Sequence, residues 1–410
     1  MHNKKLAIIG RGTVGCTAAA FFLDTTDFDI DWYYDPNIKP TPVGEGTTLD
    51  IPRLWANTKL LPYADDMLEL KATPKIGIHK RNWGSKGTEF LHPFPNGFTG
   101  FHFSGVTFQD LAFDRICNNP RIKPIASNAS PEEVDSDFVF VCTGSPKELD
   151  SSYVNVDCIP VNAALVSQCM WDNARFDYSL TYAMPHGWVF GIPLRNRCSI
   201  GYVHNSDYID RDQADKEVRE LLHELNLEPS SQNYLNFKNY YRKNNFSDRV
   251  AYCGNASFFL EPLEATSLAS SHLVMVTAGK VWNGDMSVDE SNRWYTSYMR
   301  GVETMIAMHY AAGSTYDTKF WVDASKIGRD RLEEGCRLDE GFMNNLVKCH
   351  VHQPSNQLKV PMTGTWDGSH SFMLHAEKLG LGSFIEHLYD KYNLNEIRHE
   401  WDPTIWEVVA

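Results

Sequence analysis

The sequence has few features of a secreted, membrane-spanning or nucleic-acid-binding protein. Its nine cysteines form no C-x-x-C pair and several lie inside apolar runs, so we expect reduced core thiols rather than a disulfide framework. No apolar run reaches the roughly 18 residues that a membrane-spanning helix requires, so we expect no membrane partner. The net charge of −14 argues against a surface that follows nucleic-acid phosphates.

Signals for export and for metal binding are also missing. The first five residues lead straight into an apolar run, so we expect no signal peptide and a cytoplasmic location. Cys349, His350 and His352 stand close together, but no second group of ligands follows at a fixed spacing, so we expect no metal site. The sequence leaves the oligomeric state open, and a homo-oligomer is compatible with it.

What is present, at the N-terminus, is a pattern that predicts a dinucleotide-binding turn. An apolar strand from Leu6 to Ile9 enters a G-x-G-x-x-G segment, and a helix is predicted from Cys16 to Phe22. The first glycine permits a tight turn, the second lets the backbone approach a pyrophosphate, and the third lets the helix pack on the strand. The helix N-terminus offers N–H groups and a positive dipole end to the phosphates, so we predict cofactor contacts at Gly10, Gly12, Thr13, Val14 and Gly15.

An acidic residue after the next strand supports this interpretation. The run Phe28–Tyr34 ends in Asp35, about 20 residues past Gly15, where a carboxylate accepts hydrogen bonds from the ribose of a dinucleotide. An aspartate at this position argues against a ribose 2′-phosphate, so FAD or NAD fits better than NADP. A βαβ unit with a glycine turn and no ligand is the simpler alternative.

The remaining elements predict an α/β fold whose nucleotide-binding sheet is interrupted along the chain. A helix at 107–118, a short strand near 122–125, a buried strand at 137–142 and a strand from Val250 into the turn at Gly254 would complete one sheet. The intervening segment, about 155–245, predicts an antiparallel sheet with strands near 178–183, 187–192 and 198–203 and a helix at 214–225. A further helix is predicted at 291–312. We therefore predict a Rossmann-type, flavin monooxygenase-like FAD-binding domain over 1–330 and a mainly helical region over 331–410.

Several further motifs occur along the chain in an order that is similar to that of one protein family. They are Val43-Gly44-Glu45-Gly46-Thr47-Thr48, the segment 72–78 around Lys75, Asn82-Trp83-Gly84, Leu91-His92-Pro93-Phe94, the segment 258–267 with Glu261 and Glu264, and His309-Tyr310 followed by 317–321. This order resembles the flavin-dependent halogenases of the tryptophan-halogenase type. Two departures stand out: the family's G-W-x-W-x-I-P signature has Phe190 in place of its second tryptophan, and its Glu-Ser pair is Glu264-Ala265 here.

The resemblance implies a chemistry and a set of site residues. It implies that FAD, reduced by a separate flavin reductase, reacts with oxygen and halide to give hypohalous acid, which halogenates an aromatic or electron-rich small molecule. Only one complete glycine fingerprint is present, which favours a separate reductase. The implied catalytic residues are Lys75, which holds or captures the oxidant, and Glu264, which accepts the ring proton. The resemblance further assigns the halide to backbone amides at Thr266 and Ser267, a tunnel wall to Trp188, Phe190 and Pro193, and flavin contacts to Val43, Gly44, Glu45, Gly46, Thr47, Asn255 and Leu268.

Simpler interpretations of these residues stay open at the level of sequence. Lys75, taken alone, is typical of a solvated strand end, Glu261 competes with Glu264 for the carboxylate role, and Trp188 and Phe190 could be ordinary core residues. A flavin monooxygenase that hydroxylates its substrate, or a flavin-binding protein without turnover, are the alternative functions. Neither the substrate nor the halide is identified by any motif.

Overall fold

The computed structural model describes residues 4–38, 44–62, 64–84, 87–94, 99–338, 340–343, 346, 376 and 378–392. The chain divides into two compact units. Unit 1 comprises Met1–Thr73, Gly100–Asn155 and Tyr240–Thr296, and unit 2 comprises Pro74–Thr99, Val156–Asn239 and Ser297–Ala410.

The secondary structure alternates strands and helices in the first part of the chain, and the described residues after 265 are mainly helical. The strands are β1 (Lys5–Ile9), β2 (Asp29–Tyr34), β3 (Gly44–Gly46), β4 (Thr73–Lys75), β5 (Gly77–Trp83), β6 (Thr88–Pro93), β7 (Gly100–Ser104), β8 (Ile122–Ala126), β9 (Phe138–Val141), β10 (Tyr153–Asn155), β11 (Ala163–Met170), β12 (Ser179–Met184), β13 (Gly187–Leu194), β14 (Arg197–His204), β15 (Pro229–Asn236), β16 (Tyr240–Arg242), β17 (Val250–Tyr252) and β18 (Phe258–Phe259). The helices are α1 (Thr13–Thr25), α2 (Asp50–Asn57), α3 (Ala64–Glu69), α4 (Gly105–Cys117), α5 (Arg211–Glu224), α6 (Thr266–Asn283), α7 (Val288–Ala312), α8 (Lys319–Arg337) and α9 (Gly382–Lys391).

Unit 1 is built on a parallel sheet in the order β17-β9-β1-β2-β8. All four residues of β9 are buried, as expected for a parallel strand with both faces covered by helices. Trp282 of α6 stacks on Phe138 of β9 at a ring distance of 4.9 Å and contacts Phe22 of α1 at 5.4 Å. The predicted assembly of distant segments into one sheet, and with it the α/β fold class, is therefore confirmed.

Unit 2 is built on a sheet in the order β15-β11-β14-β13-β12-β5-β6. Its strands pair antiparallel except for β12 and β5, which are parallel. Helix α5 buries Val218, Leu221 and Leu222 in a cluster that also contains residues of β12 and β14, and Asp210 caps its N-terminus by accepting a hydrogen bond from the Gln213 amide. Strands β5 and β6 precede the predicted insertion by more than 60 residues, and no local pattern could have assigned them to its sheet.

The later helices of unit 2 pack on this sheet through large aromatic side chains. Trp83 at the end of β5 contacts Tyr310 of α7 and Trp321 of α8. The indole of Trp321 donates a 2.7 Å hydrogen bond to the Met184 carbonyl, and the Thr318 hydroxyl donates to the Pro185 carbonyl. Much of the predicted C-terminal region 331–410 lies outside the described residues, so the domain boundary near residue 330 stays a prediction.

Within the described ranges no helix has the length and apolar character needed to cross a membrane. The same part of the chain contains no cluster of three His, Cys, Asp or Glu side chains that could bind a metal ion. The segment with Cys349, His350 and His352 lies outside the described residues.

Candidate functional site

The turn after β1 has the close packing that its glycines predicted. Gly10 adopts a φ of +116°, and a Cβ atom there would lie 2.2 Å from the carbonyl oxygen of Cys142. A Cβ atom on Gly15 would lie 2.3 Å from the carbonyl oxygen of Gly10. Any side chain at either position would therefore collide with backbone, so both glycines are required by the fold itself.

Gly12 differs from the other two glycines because the space around it is open. It is the N-cap of α1 with ordinary extended dihedral angles, φ −64° and ψ 177°, and no side chain caps the helix. No heavy atom lies within 4 Å of the position that a Cβ atom would take. An uncapped helix N-terminus with open space in front of it fits an anionic pyrophosphate, because its amides donate and its dipole end is positive.

The other predicted contacts of this turn lie in the same unit. Gly254, with φ +57°, packs against the side chain of Val14, to which a Cβ atom would approach within 3.2 Å. The neighbouring carbonyl of Asn255 accepts a 2.7 Å hydrogen bond from the Tyr240 hydroxyl. The carboxyl ends of β1 and β17 thus meet at the first turn of α1, as a shared parallel sheet requires.

Asp35 follows β2 as a partly exposed carboxylate. It accepts hydrogen bonds from the backbone amide of Asn37 at 2.8 Å and from the Asn128 side chain at 3.1 Å. These bonds lower the pKa of Asp35, with the Asn37 amide as the largest cause. An ionised acceptor at the carboxyl end of the second strand is what recognition of a ribose requires.

Glu45 lies beside the first turn of α1. It belongs to β3, which pairs antiparallel with β7, and its Oε1 accepts a 2.8 Å hydrogen bond from the Thr13 hydroxyl. Burial raises the pKa of Glu45 to about 7, although the Thr13 hydrogen bond acts in the opposite direction. Thr47 is fully buried and exchanges two 2.8 Å hydrogen bonds with the backbone of Phe101, and Val43 lies outside the described residues.

The predicted halide site coincides with an unusual piece of backbone. Glu264 and Ala265 both adopt left-handed angles, φ 71° and φ 54°, within the 3₁₀ turn Leu263–Ala265. Helix α6 begins at the next residue, Thr266, and no side chain caps it. Left-handed residues followed by a helix N-terminus turn successive amides towards one point, which is a geometry that binds small anions.

The side chains of this segment are buried to different degrees. Glu264 is 7% exposed and Glu261 is fully buried. In the first turn of α6, Ser267 is exposed, Thr266 is intermediate and Leu268 is buried. No glycine marks the left-handed pair, so local sequence carried no signal for this geometry.

Lys75 in unit 2 is buried rather than solvated, which corrects the simplest interpretation of a lysine at a strand end. It is 1% exposed, and its ammonium lies 5.4 Å from the centre of the Phe94 ring. A second lysine, Lys80 on β5, is fully buried with its ammonium 5.8 Å from the centre of the Trp83 ring, and no motif in the sequence pointed to it. Buried lysines are rare because the ammonium loses its hydration, so both positions are notable.

The three predicted wall residues on β13 do not share one face of the sheet. Trp188 and Phe190, two residues apart, lie on the same face with ring centres 6.2 Å apart. The Phe190 ring covers Gly201, where a Cβ atom would lie 2.0 Å from it. Pro193 alternates to the opposite face with Val189 and pairs with Cys198, so it does not line a common wall with the two aromatic rings.

Comparisons with known proteins agree with the fold and the motifs. The sequence profile of the tryptophan halogenase family matches residues 5–119 and 125–337. The 7-chloro-L-tryptophan 6-halogenase KtzR of Kutzneria sp. (strain 744) is 26% identical over 205 residues, which cover 47% of this chain and 39% of that protein. The tryptophan 7-halogenase RebH of Lentzea aerocolonigenes is 22% identical over 446 residues, which cover 83% of this chain and 81% of that protein.

Solved structures share this fold. The crystal structure of tryptophan halogenase from Shewanella frigidimarina NCIMB 400 superimposes with a TM-score of 0.75 and 16% identity, covering 100% of this chain and 98% of that one. The flavin-dependent halogenase Xcc4156 from Xanthomonas campestris superimposes with a TM-score of 0.71 and 19% identity, covering 96% of each chain.

Proposed function

The chain belongs to the tryptophan halogenase family, and on that premise we propose that it is a reduced-FAD-dependent halogenase of an aromatic or electron-rich small molecule. The observation that carries the proposal is the uncapped start of α6 directly after the left-handed pair Glu264-Ala265. Backbone amides in this arrangement can hold a halide without any charged side chain. Strained backbone of this kind is concentrated at functional sites, where the surrounding structure holds it in place.

The proposed FAD site is the turn at the start of α1. The open N-terminus at Gly12 would receive the pyrophosphate, and Asp35 would accept hydrogen bonds from the ribose. When bound, reduced FAD would donate electrons to oxygen, and the activated oxygen would oxidise the halide to hypohalous acid. We propose a separate flavin reductase because the sequence has one complete glycine fingerprint.

Lys75 and Glu264 are the proposed catalytic side chains. A buried amine can hold hypohalous acid by a hydrogen bond or capture it as a haloamine, and burial keeps the oxidant away from water. The carboxylate of Glu264 would accept the proton that the substrate carbon loses after electrophilic addition. The curated relatives are named for tryptophan and chlorotryptophan, so indoles are the first substrates to test.

The proposal is tested by supplying the full chain with reductase, FAD, oxygen and halide, together with a panel of indoles, phenols and heteroarenes. We expect a product with the mass and isotope pattern of a halogenated substrate. Oxygen incorporation without dependence on halide would identify a hydroxylase instead, and FAD binding without oxygen consumption would identify a flavin-binding protein without turnover.

Substitution of Lys75 by methionine tests its proposed role. Met has a similar length and tolerates burial, so Lys75→Met should retain the fold while halogenation falls below detection and oxygen consumption continues. Lys216→Met, an exposed lysine on α5, is the control and should retain product formation. Product formation by Lys75→Met at the rate of the control would refute the role.

A further inference from the structure

Glu45 is a carboxyl group placed where a binding anion would lie close to it. Its Oε1 accepts the 2.8 Å hydrogen bond from Thr13, which is the first residue of α1. A Cβ atom on Gly105 would lie only 2.0 Å from the same Oε1, so α4 starts in direct contact with the carboxyl group. The carboxyl group is thus enclosed between the first turns of two helices, directly beside the proposed pyrophosphate site.

The titratable groups around Glu45 are engaged with other partners or are neutral. Arg11, on the turn itself, forms a 2.7 Å ion pair with Asp110 of α4. His102, on the paired strand β7, makes a 3.2 Å hydrogen bond through Nδ1 with the Thr73 hydroxyl. Burial raises the pKa of the Cys16 thiol on α1 far above its usual value, so this thiol stays neutral.

The other groups on these elements are also neutral or engaged. Gln109 of α4 donates to the Thr13 hydroxyl at 3.3 Å. Asp50, which follows β3 at the start of α2, makes a 3.4 Å hydrogen bond with Nδ1 of His272 on α6. A bound anion at the first turn of α1 would therefore disfavour the ionised form of Glu45 more directly than that of the other described groups named here.

We infer that Glu45 takes up a proton when FAD binds, so that the affinity of this chain for its cofactor is linked to pH. This inference rests on the proposed function, since it requires that the turn bind the pyrophosphate of FAD. The physical cause is the repulsion between the phosphate charge and an ionised carboxylate, which favours the protonated form of the acid. Protonated Glu45 keeps an acceptor oxygen for Thr13 and gains an O–H donor.

The direction and size of the effect follow from linkage. The free chain already has a raised Glu45 pKa of about 7, and bound FAD raises it further. Below pH 7 the carboxyl group is protonated before binding, so affinity should be highest and nearly constant there. Above pH 7 a proton must be taken up from solution, and the Kd should rise by about tenfold per pH unit.

Calorimetric titration of the flavin-free full chain with FAD tests the inference directly. Titrations at pH 6, 7 and 8 in pairs of buffers with different ionisation enthalpies measure the protons exchanged per FAD bound. We expect almost none at pH 6, about half a proton at pH 7 and about one at pH 8, with a Kd about tenfold weaker at pH 8 than at pH 6.

Two variants assign the proton to a residue. Glu45→Gln keeps an acceptor for Thr13 but has no charge, so its Kd should be independent of pH and close to the wild-type value at pH 6. Asp110→Asn removes the neighbouring carboxylate and should keep the wild-type pH dependence. Should Glu45→Gln fail to fold, the wild-type proton count still decides whether a proton is taken up.

The outcomes separate this inference from the function on which it rests. No FAD binding at any pH would refute the proposed function. Binding with a constant Kd and no proton exchange would overturn the inference while leaving the halogenase proposal intact. A pH dependence that persists in Glu45→Gln would overturn the assignment to this carboxyl group.

Discussion

Gly12 offers a way to separate cofactor binding from folding, because it is the one glycine of the turn with free space around it. Its dihedral angles are open to any residue, and nothing lies within 4 Å of the position that an alanine methyl group would occupy. Gly12→Ala should therefore fold normally. An alanine N-cap costs at most about 1 kcal/mol of unfolding free energy relative to glycine.

The same methyl group should damage FAD binding. It would stand in front of the helix N-terminus, where the proposed pyrophosphate must approach the amides. A hydrogen bond to a charged group contributes about 1.5–3 kcal/mol. Loss of one such contact corresponds to a Kd about ten- to a hundredfold weaker, since about 1.4 kcal/mol is a factor of ten.

Two measurements on the full chain check this prediction. Quenching of flavin fluorescence gives the Kd for FAD, and thermal unfolding without FAD, followed by circular dichroism, gives stability. Gly15→Ala is the matched comparison, because its methyl group would meet the Gly10 carbonyl oxygen at 2.3 Å. Its free energy of unfolding should fall by about 1–3 kcal/mol. Wild-type FAD affinity in Gly12→Ala would refute the assignment of the turn as a pyrophosphate site.

Three further changes test other parts of the structure. Ala265→Val should lower the free energy of unfolding by about 1–2 kcal/mol, because a β-branched side chain is poorly tolerated at φ 54°. Ala265→Gly is the control and should not lower it, and urea denaturation measures both variants. Burial raises the pKa of Asp50, but hydrogen bonds from His272 and Thr48 outweigh it and lower that pKa. The carboxylate therefore stabilises the fold above its ordinary pKa and loses this contribution as pH falls through the lowered value, so the urea midpoint should drop more steeply below pH ~4 in wild type than in Asp50→Asn. Glu217→Ala removes a buried carboxylate that accepts from Tyr202 at 2.5 Å and Gln213 at 2.8 Å, which should cost about 2–3 kcal/mol in the same assay; a loss below about 0.5 kcal/mol would contradict the inferred importance of this network.

The features that the sequence predicted well are those with a local physical cause. The turn from Gly10 to Gly15 could be recognised because a tight turn, an open helix start and close helix packing each require a glycine at a fixed spacing. Strands such as β9 could be recognised because a strand buried on both faces is apolar throughout.

The features that were missed depend on contacts between distant segments. Burial of Lys75 follows from the elements packed around it, and a single lysine in a strand-like stretch gives no sign of them. Strand β13 runs to Leu194, beyond the predicted end near residue 192, so Pro193 lies within the strand and alternates to the opposite face from Phe190. The left-handed angles of Glu264 and Ala265 occur without a glycine, so only surrounding structure can hold them.

The amino-acid sequence was sufficient for the family resemblance and for the close-packed glycine turn, and it singled out Lys75 and Glu264 as candidates, because these inferences depend on residue types at short spacings. Only the folded chain reveals that Glu45 lies against the first turn of α1 and that α6 starts uncapped behind a left-handed pair. The pKa of a carboxyl group and the direction of backbone N–H groups depend on the atoms around them in space. Those atoms belong to residues tens to hundreds of positions away along the chain.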